Sequence, residues 1–593
     1  MVTYNLRKEF CPSRIMGVQN TSGFFLLQRY KKAILKNDHV EHKKEPKIDI
    51  TILLLNKSID IAPQMTKMQV AVRPTSRTPT TTTSHVSPPA PANPLAAAMA
   101  TFRLELSLRV RNISPLEAAN GVRASIQKFL ETEKTFIEIA QTETVYDQTN
   151  ITFKSRSPLQ YRFDKSDRLK ISVFYVKRNT GTLVHRIGDV FTDLSSIIAK
   201  GGEISLPLSP SAAIDLQIII PDFYSHYVKL RFSGNCLQVR ESVPMAAYMM
   251  LILKTERREV LLYKSEVVKE KNPRWNEFAV PLYIIQYYQQ AVLQIHCYNK
   301  IANNTDTLIG FCSTSMTQLE RGVGPLNSYM LMNFEGKRIH EKMSVDLESL
   351  ELVHGESFFT AVQSGIHLHL TTAVDLTASN GNPNQPDSLH YIHPHTQSPY
   401  VSAMTRLTPL FLNYMAHTRV GAIGFGAKTE PHCELSQCFA LSGSHSDSQV
   451  DGLSGLLEAY RHARLVVQPF APTDFSEVIY HVSKFAKAES RRHLGLYFVL
   501  LILTDGGLTN PRRTIDAIVD CSPHPMSIVA VGIGKDRDFA NVKALESPVL
   551  KHSDGRPLIR QNFQFIPFED LDTDDAVALI PLQIAQWRYS LSG

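Results

Sequence analysis

His367-Leu-His-Leu-Thr-Thr-Ala-Val374 is an apolar run that passes directly into Asp375-Leu-Thr377-Ala-Ser379-Asn380-Gly381. The run reads as a buried strand and the continuation as the loop in which the chain leaves the sheet. In that loop Asp375 offers a hard anionic oxygen, while the hydroxyls of Thr377 and Ser379 offer neutral ones at i+2 and i+4. This donor set suits a small divalent cation such as Mg²⁺ or Mn²⁺. A second carboxylate stands where the run Tyr497 to Leu503 ends in Thr504-Asp505-Gly506-Gly507, and Pro472-Thr473-Asp474-Phe475 places another hydroxyl just ahead of a helix. A helix cap and a turn would by themselves account for Asp375, Thr377 and Ser379. Thr473 and Asp505 in matching contexts favour a metal site instead.

Outward from this loop, residues 354–593 alternate strand with helix. Val420 to Phe425 and Met526 to Val531 are further apolar strands. Pro399 to Ala416, Gly452 to Val467, Ser476 to Ala488, Pro511 to Cys521 and Asp570 to Leu591 carry apolar residues at three- and four-residue spacings. The pattern predicts an α/β doubly wound domain, mostly parallel and covered by helices on both faces. Ligands of such sheets gather beyond the carboxyl ends of the strands, where Asp375 and Asp505 fall.

Upstream the periodicity is two. Phe102 to Val110, Phe136 to Ile139, Leu159 to Phe163 and Leu169 to Tyr175 alternate apolar with polar, and so do Val228 to Phe232, Tyr248 to Lys254, Leu261 to Val267, Glu277 to Leu282 and Val292 to Tyr298. Each set predicts an antiparallel β-sandwich, one over 99–222 and one over 223–345. Residues 1–98 are different. They hold a basic stretch and then a Thr, Ser, Pro and Ala tail from Pro74 to Pro94, a composition that predicts a largely disordered extension.

Charge supports this division. The first hundred residues hold 14 basic and 6 acidic side chains, leaving 49 against 50 in the rest, so the positive excess lies entirely in the head. A nearly neutral folded part argues against nucleic-acid binding. The 7 cysteines are scattered without a C-x-x-C pair, which predicts reduced thiols rather than a disulfide framework or a zinc finger. No apolar run reaches the length that spans a bilayer, so any membrane attachment is expected to be peripheral. Nothing resembling a nucleophile elbow, a Walker loop, H-E-x-x-H or a dinucleotide fingerprint is present, and no enzyme activity or small-molecule substrate is expected. His390, His393 and His395 form a histidine-dense stretch that reads as a solvated loop, with a metal role as the alternative.

Val374-Asp-Leu-Thr-Ala-Ser-Asn-Gly-Asn-Pro383 with Ser388-Leu-His-Tyr391, Gly424-Phe-Gly-Ala427, Glu458-Ala-Tyr-Arg461 and Pro472-Thr473 resembles the signature of the copine family. Leu500 to Gly506 and Pro525-Met-Ser-Ile-Val529 fit as well. The resemblance covers the chain from about 100 onward and implies two tandem C2 domains followed by a von Willebrand factor A-type domain. It implies that Asp375, Thr377, Ser379, Thr473 and Asp505 form a metal-ion-dependent adhesion site holding Mg²⁺ or Mn²⁺, to which a protein partner presents an acidic residue. It also implies calcium-dependent binding to acidic phospholipid and a cytoplasmic protein peripherally associated with the plasma membrane. Asp474 stands where many copines carry Asn.

The sandwich loops depart from the calcium-binding pattern of about five Asp carboxylates. The first retains Glu117 and the second Glu241 and Asp306, while Lys177, Arg178 and Arg186 occupy the first sandwich's loops. Affinity falls with each carboxylate lost and with each neighbouring cation, so weak or absent Ca²⁺ binding is expected. The basic loops either meet anionic headgroups or are solvated surface. The rival readings are a calcium-independent cytosolic scaffold without lipid binding and a ubiquitin-ligase-like enzyme, although the cysteines lack RING spacing.

Overall fold

The structure, a computed structural model, describes residues 101–593 apart from 179, 239–243, 255–258, 288–291, 301–305, 394, 431–432, 445, 493–494, 536, 573–576 and 593. The extension 1–98, expected to be disordered, lies outside the described residues.

The first sandwich is built on Thr101–Arg111, in which Phe102, Leu104, Leu106, Leu108 and Val110 are all buried and the residues between them are more exposed. That strand is flanked by Ala213–Ile219 on one side and by Ser157–Arg162 and Ile151–Thr152 on the other, all antiparallel. The facing sheet runs Thr135–Gln141, Val122–Leu130, Arg168–Val176, Leu183–Asp193. Val122, Ala124 and Ile126 point into the core and pair across strands with Tyr175, Val173 and Ile171. Period two thus sorts one apolar face inward, as the alternation requires. The sequence reading found half of these strands. It missed those with mixed composition, such as Leu183–Asp193, where His185, Arg186 and Asp189 interrupt the apolar pattern.

The second sandwich repeats the order, with Glu259–Lys264, Ala247–Lys254, Val292–Asn299 and Thr307–Thr314 in one sheet. The other holds Phe278–Pro281, His226–Asn235, Ser344–His354 and Ser328–Met330. Ser344–His354 pairs with His226–Asn235 along its whole length, so the second sandwich extends past the expected boundary at 345 to 354. The cause is local: Ser344-Val-Asp-Leu-Glu alternates inward Val345 and Leu347 with outward acids, a strand signal that the charge density obscures. Ala247–Lys254 is buried on both faces. Met249, Leu251 and Leu253 enter the sandwich core, while Tyr248, Met250 and Ile252 form a separate buried cluster with Leu261.

In the last domain the parallel strands are β1 (His367–Asp375), β2 (Arg419–Phe425), β3 (Leu496–Thr504), β4 (Met526–Gly532) and β5 (Phe563–Pro567). Their spatial order is β2-β1-β3-β4-β5, with two short antiparallel pieces, Phe439–Ala440 and Gln449–Asp451, at the β2 edge. Helices α1 (Pro399–Leu412), α2 (Gly452–Val466), α3 (Ser476–Arg492), α4 (Pro511–Cys521) and α5 (Ile580–Ser592) connect and follow them. The central strand β3 is almost entirely buried, which is why it reads as one continuous apolar run rather than as an alternation. β5 was not anticipated, since Phe563-Gln-Phe-Ile carries a buried Gln564 within it.

The three domains share contacts. Tyr161 of the first sandwich and Tyr414 after α1 are buried with their hydroxyls 2.5 Å apart. Phe163 packs edge-on against Phe358 and Phe411. The last domain meets the second sandwich where Gln561 accepts from the Leu261 amide at 2.8 Å and the Tyr589 ring stacks on Tyr227 with centroids 5.0 Å apart. Among the described residues no helix is long and apolar enough to cross a membrane.

Candidate metal centre

β1 and β3 lie side by side, with Val374 opposite Leu503, so their carboxyl ends release Asp375 and Asp505 into one crevice. In the order 2-1-3-4-5 this is the point at which successive connections leave in opposite directions, the position where open α/β sheets leave room for a ligand. Thr473 enters from the segment ahead of α3, whose Thr473 pairs in parallel with Leu508 just beyond Asp505.

The five oxygen-bearing side chains form one connected set. Thr377 donates its hydroxyl to Asp375 Oδ1 at 2.6 Å and its amide to the same atom at 3.0 Å. The Thr377 hydroxyl is 2.9 Å from that of Ser379, which donates to Asp505 Oδ1 at 3.1 Å. The Thr473 hydroxyl is 3.5 Å from that of Thr377. A Cβ on Gly507 would lie 3.8 Å from Thr473 Oγ1 and 3.9 Å from both Asp505 Oδ1 and Ser379 Oγ, which marks a small open space facing oxygens from all three loops. Gly426, at φ +78°, passes so close that a Cβ there would come within 2.1 Å of Thr377 Cγ2, so a glycine is required for the β2 loop to approach this wall.

Burial makes the site electrostatically costly without a cation. Asp375 is fully buried and Asp505 nearly so, whereas Ser379 is exposed and marks the opening. The Asp375 carboxyl is pushed upward, first by burial and then by the negative charge of Asp505; hydrogen bonds from Thr377 and Thr504 oppose the shift. Asp505 Oδ2 is buried without a hydrogen-bond donor. Among the described residues its ion-pair partner is Arg537, at 3.7 Å. A buried carboxylate oxygen without a hydrogen-bond donor, a second acid and three hydroxyls fit a hard divalent ion.

A second layer fixes the first. Thr504 donates to Asp375 Oδ2 at 2.6 Å, and Asn380 reaches Asp375 Oδ1 at 3.3 Å. Tyr400 holds Asn380 by donating to its Oδ1 at 2.7 Å, and His390 stacks on Tyr400 while contacting the Tyr460 hydroxyl at 2.9 Å. His390 is therefore buried behind the site, a correction to the solvated-loop reading, and burial lowers its pKa to about 3. His393 and His395 are exposed. Asp474 does not join the oxygen set. It accepts from the Ser476 amide at 2.8 Å at the start of α3 and pairs with Arg513 at 3.2 Å, so Asp there serves the helix end. Thr504, Asn380, Tyr400 and Arg537 escaped the sequence reading. Thr504 adjoins Asp505 and Asn380 adjoins Ser379, so both could have been flagged, but Tyr400 and Arg537 carry no local signature.

The sandwich loops are organised differently. Arg178 pairs with Asp147 at 2.6 Å and lies over the Tyr146 ring, and Arg186 pairs with Asp189 at 2.7 Å; Lys177 is exposed. Glu241 and the Glu117 side chain lie outside the described residues. Asp306 is half-buried, accepts from the Tyr248 hydroxyl at 2.7 Å and pairs at 2.5 Å with Lys551 of the last domain. Lys264 lies over the Tyr248 ring at 4.9 Å, and burial lowers its pKa to about 8 against the pull of Asp306. Among the described residues no group of three or more His, Cys, Asp or Glu side chains is placed to hold a metal.

The Copine family model matches residues 388–588 and the C2 domain model matches residues 232–331. The second sandwich is thus a C2 domain and the α/β domain a copine domain. A C2 domain followed by a copine domain is the arrangement expected of a copine-family protein. Thr473 and Asp505 lie inside the copine match, and the Asp375 loop lies just ahead of it. Similar solved structures include one titled BON1-C2B, 15% identical over 22% of this chain and 94% of that one, with a TM-score of 0.20. Another comprises two C2 domains of extended synaptotagmin 2, 11% identical over 47% of this chain and 99% of that one, with a TM-score of 0.18. At these scores the structural likenesses carry no argument of their own.

Proposed function

We propose that the chain is a peripheral membrane adaptor, not an enzyme, whose last domain captures a protein partner through a divalent ion. Asp375, Thr377, Ser379, Thr473 and Asp505 would hold Mg²⁺ or Mn²⁺. The single observation that carries this reading is the convergence of oxygens from three separated loops on one crevice, with Asp505 Oδ2 buried and lacking a donor. A bound divalent ion supplies positive charge and an open coordination position for an acidic residue of the partner. The chain's own part is to orient the hydroxyls through the Asp375 and Asn380 hydrogen bonds and to expose only the Ser379 side to solvent.

In the same reading the sandwiches, divided as 99–222 and 223–354 ahead of the domain at 354–593, dock on acidic phospholipid at the cytoplasmic face of the plasma membrane without needing Ca²⁺. The engagement of Asp306 by Lys551 favours this, because it leaves one fewer carboxylate for calcium. The second reading is a scaffold without lipid binding, favoured by the pairing of Arg178 and Arg186 with acids of their own domain.

Two measurements test the proposal. Titrating Mn²⁺ into the full chain and into Asp505→Ala should give saturable binding only in the former. Sedimentation with phosphatidylserine liposomes should recover the protein equally with calcium and with chelator. Recovery only with calcium would overturn the calcium-independent reading, and no recovery in either would favour the scaffold.

A further inference from the structure

We infer that Arg537 is a tethered cation at the mouth of this centre, weakening its hold on the metal while strengthening its hold on the partner's carboxylate. The inference rests on the metal reading above. Arg537 lies in the loop after β4 and donates through Nη2 to the Ser379 carbonyl at 2.8 Å, which fixes the guanidinium over the Asp375 loop. The same nitrogen is 3.7 Å from Asp505 Oδ2, close enough for an ion pair and too far for a hydrogen bond. The loop is shaped for this approach. Gly534 has φ +110°, and a Cβ there would lie 2.8 Å from Arg537 Cγ, so the arginine stem packs where only glycine leaves room. Nearby Asp538 caps the Ala540 amide at 2.9 Å instead of turning toward the guanidinium.

The consequence follows from charge. Two ionised acids and a divalent ion would leave the centre neutral. Arg537, a guanidinium 40% exposed at its side chain, makes the loaded centre singly positive and partly shields Asp505 from the metal. The guanidinium also keeps N–H groups beyond the Ser379 contact, in a planar fork suited to a carboxylate that approaches from the open side. Removing the charge should therefore move the two affinities in opposite directions, a signature that simple loss of structure does not give.

The test uses the full chain and its Arg537→Gln and Arg537→Lys variants. In calorimetric titration with Mn²⁺, Arg537→Gln should bind about tenfold tighter than the native chain and Arg537→Lys within about threefold of it, a half-exposed charge being partly screened. With Mn²⁺ bound, acetate serves as the model carboxylate, read by loss of water-proton relaxation enhancement. The acetate concentration for half-loss should rise about tenfold in Arg537→Gln. Equal or weaker Mn²⁺ binding in Arg537→Gln would overturn the inference, as would an unchanged acetate response or an Arg537→Lys variant that behaves like Arg537→Gln. Absence of Mn²⁺ binding in the native chain would instead retire the metal centre itself.

Discussion

Asp505, buried just after β3, and Asp306, half-buried just before the strand Thr307–Thr314, both belong to motifs that suggest a cation, yet their surroundings differ. Asp505 keeps a carboxylate oxygen without a donor and faces a second acid across a set of hydroxyls. Asp306 is held by the Tyr248 hydroxyl and by the ammonium of Lys551, brought from another domain. A carboxylate becomes a candidate ligand when the fold leaves one of its oxygens without a hydrogen-bond donor, its cation held back as Arg537 is at 3.7 Å. When an ammonium bonds it directly, as Lys551 does at 2.5 Å, the same residue is a structural tie. On the proposed reading Asp505 takes an ion from solution, whereas Asp306 ties the last domain to the second sandwich through Lys551.

The contrast can be broken at either end. Asp505→Ala or Asp375→Ala should reduce Mn²⁺ affinity by more than about 100-fold, since loss of outer-shell partners alone typically costs 10- to 100-fold. Titration calorimetry reads this directly, and an affinity within threefold of native would place the ion elsewhere. A smaller effect is expected one layer out. Tyr400→Phe removes the hydroxyl that holds Asn380 and should weaken Mn²⁺ binding by about tenfold, with little change in thermal unfolding.

At the other end, Lys551→Met should destabilise the fold by about 1–3 kcal/mol in urea unfolding, because it strips the ion-pair partner from a half-buried carboxylate. Pairing it with Asp306→Asn should recover most of the loss. If Asp306→Asn alone created no instability, the tie would be ornamental.

The smallest effect is a pH dependence from Lys264, whose folded pKa is lowered to about 8 by burial. An unfolded lysine titrates near 10.4, so between about pH 8 and 10 the unfolded chain binds more protons than the folded one, and stability from this group rises with pH across that window. Below it, both states are protonated and the burial penalty is fully present. Lys264→Met should flatten the rise in urea midpoint between pH 8 and 10, and an unchanged slope would show that another group titrates there.

The convergence of Asp375, Asp505 and Thr473 was legible in the sequence because these residues sit at predictable places. Asp375 and Asp505 follow continuous apolar runs, and buried parallel strands announce their own ends. Thr473 was legible because it precedes an amphipathic helix. Arg537 was not, because its contact with Ser379 depends on how the β4 loop folds back across β1 and β3, and residue spacing does not encode such a return. Nor was the fate of Asp306, since its partner lies 245 positions further along the chain and no local pattern links a sandwich loop to Lys551. Ser344–His354 shows the same limit at the level of a single strand: outward acids masked the alternation that places Val345 and Leu347 in the core.

The most direct measurement is Mn²⁺ titration of the full chain in the presence of excess Ca²⁺. The account predicts one saturable Mn²⁺ site, lost in Asp505→Ala and retained in Asp306→Asn. Mn²⁺ binding that survives Asp505→Ala but disappears in Asp306→Asn would contradict it.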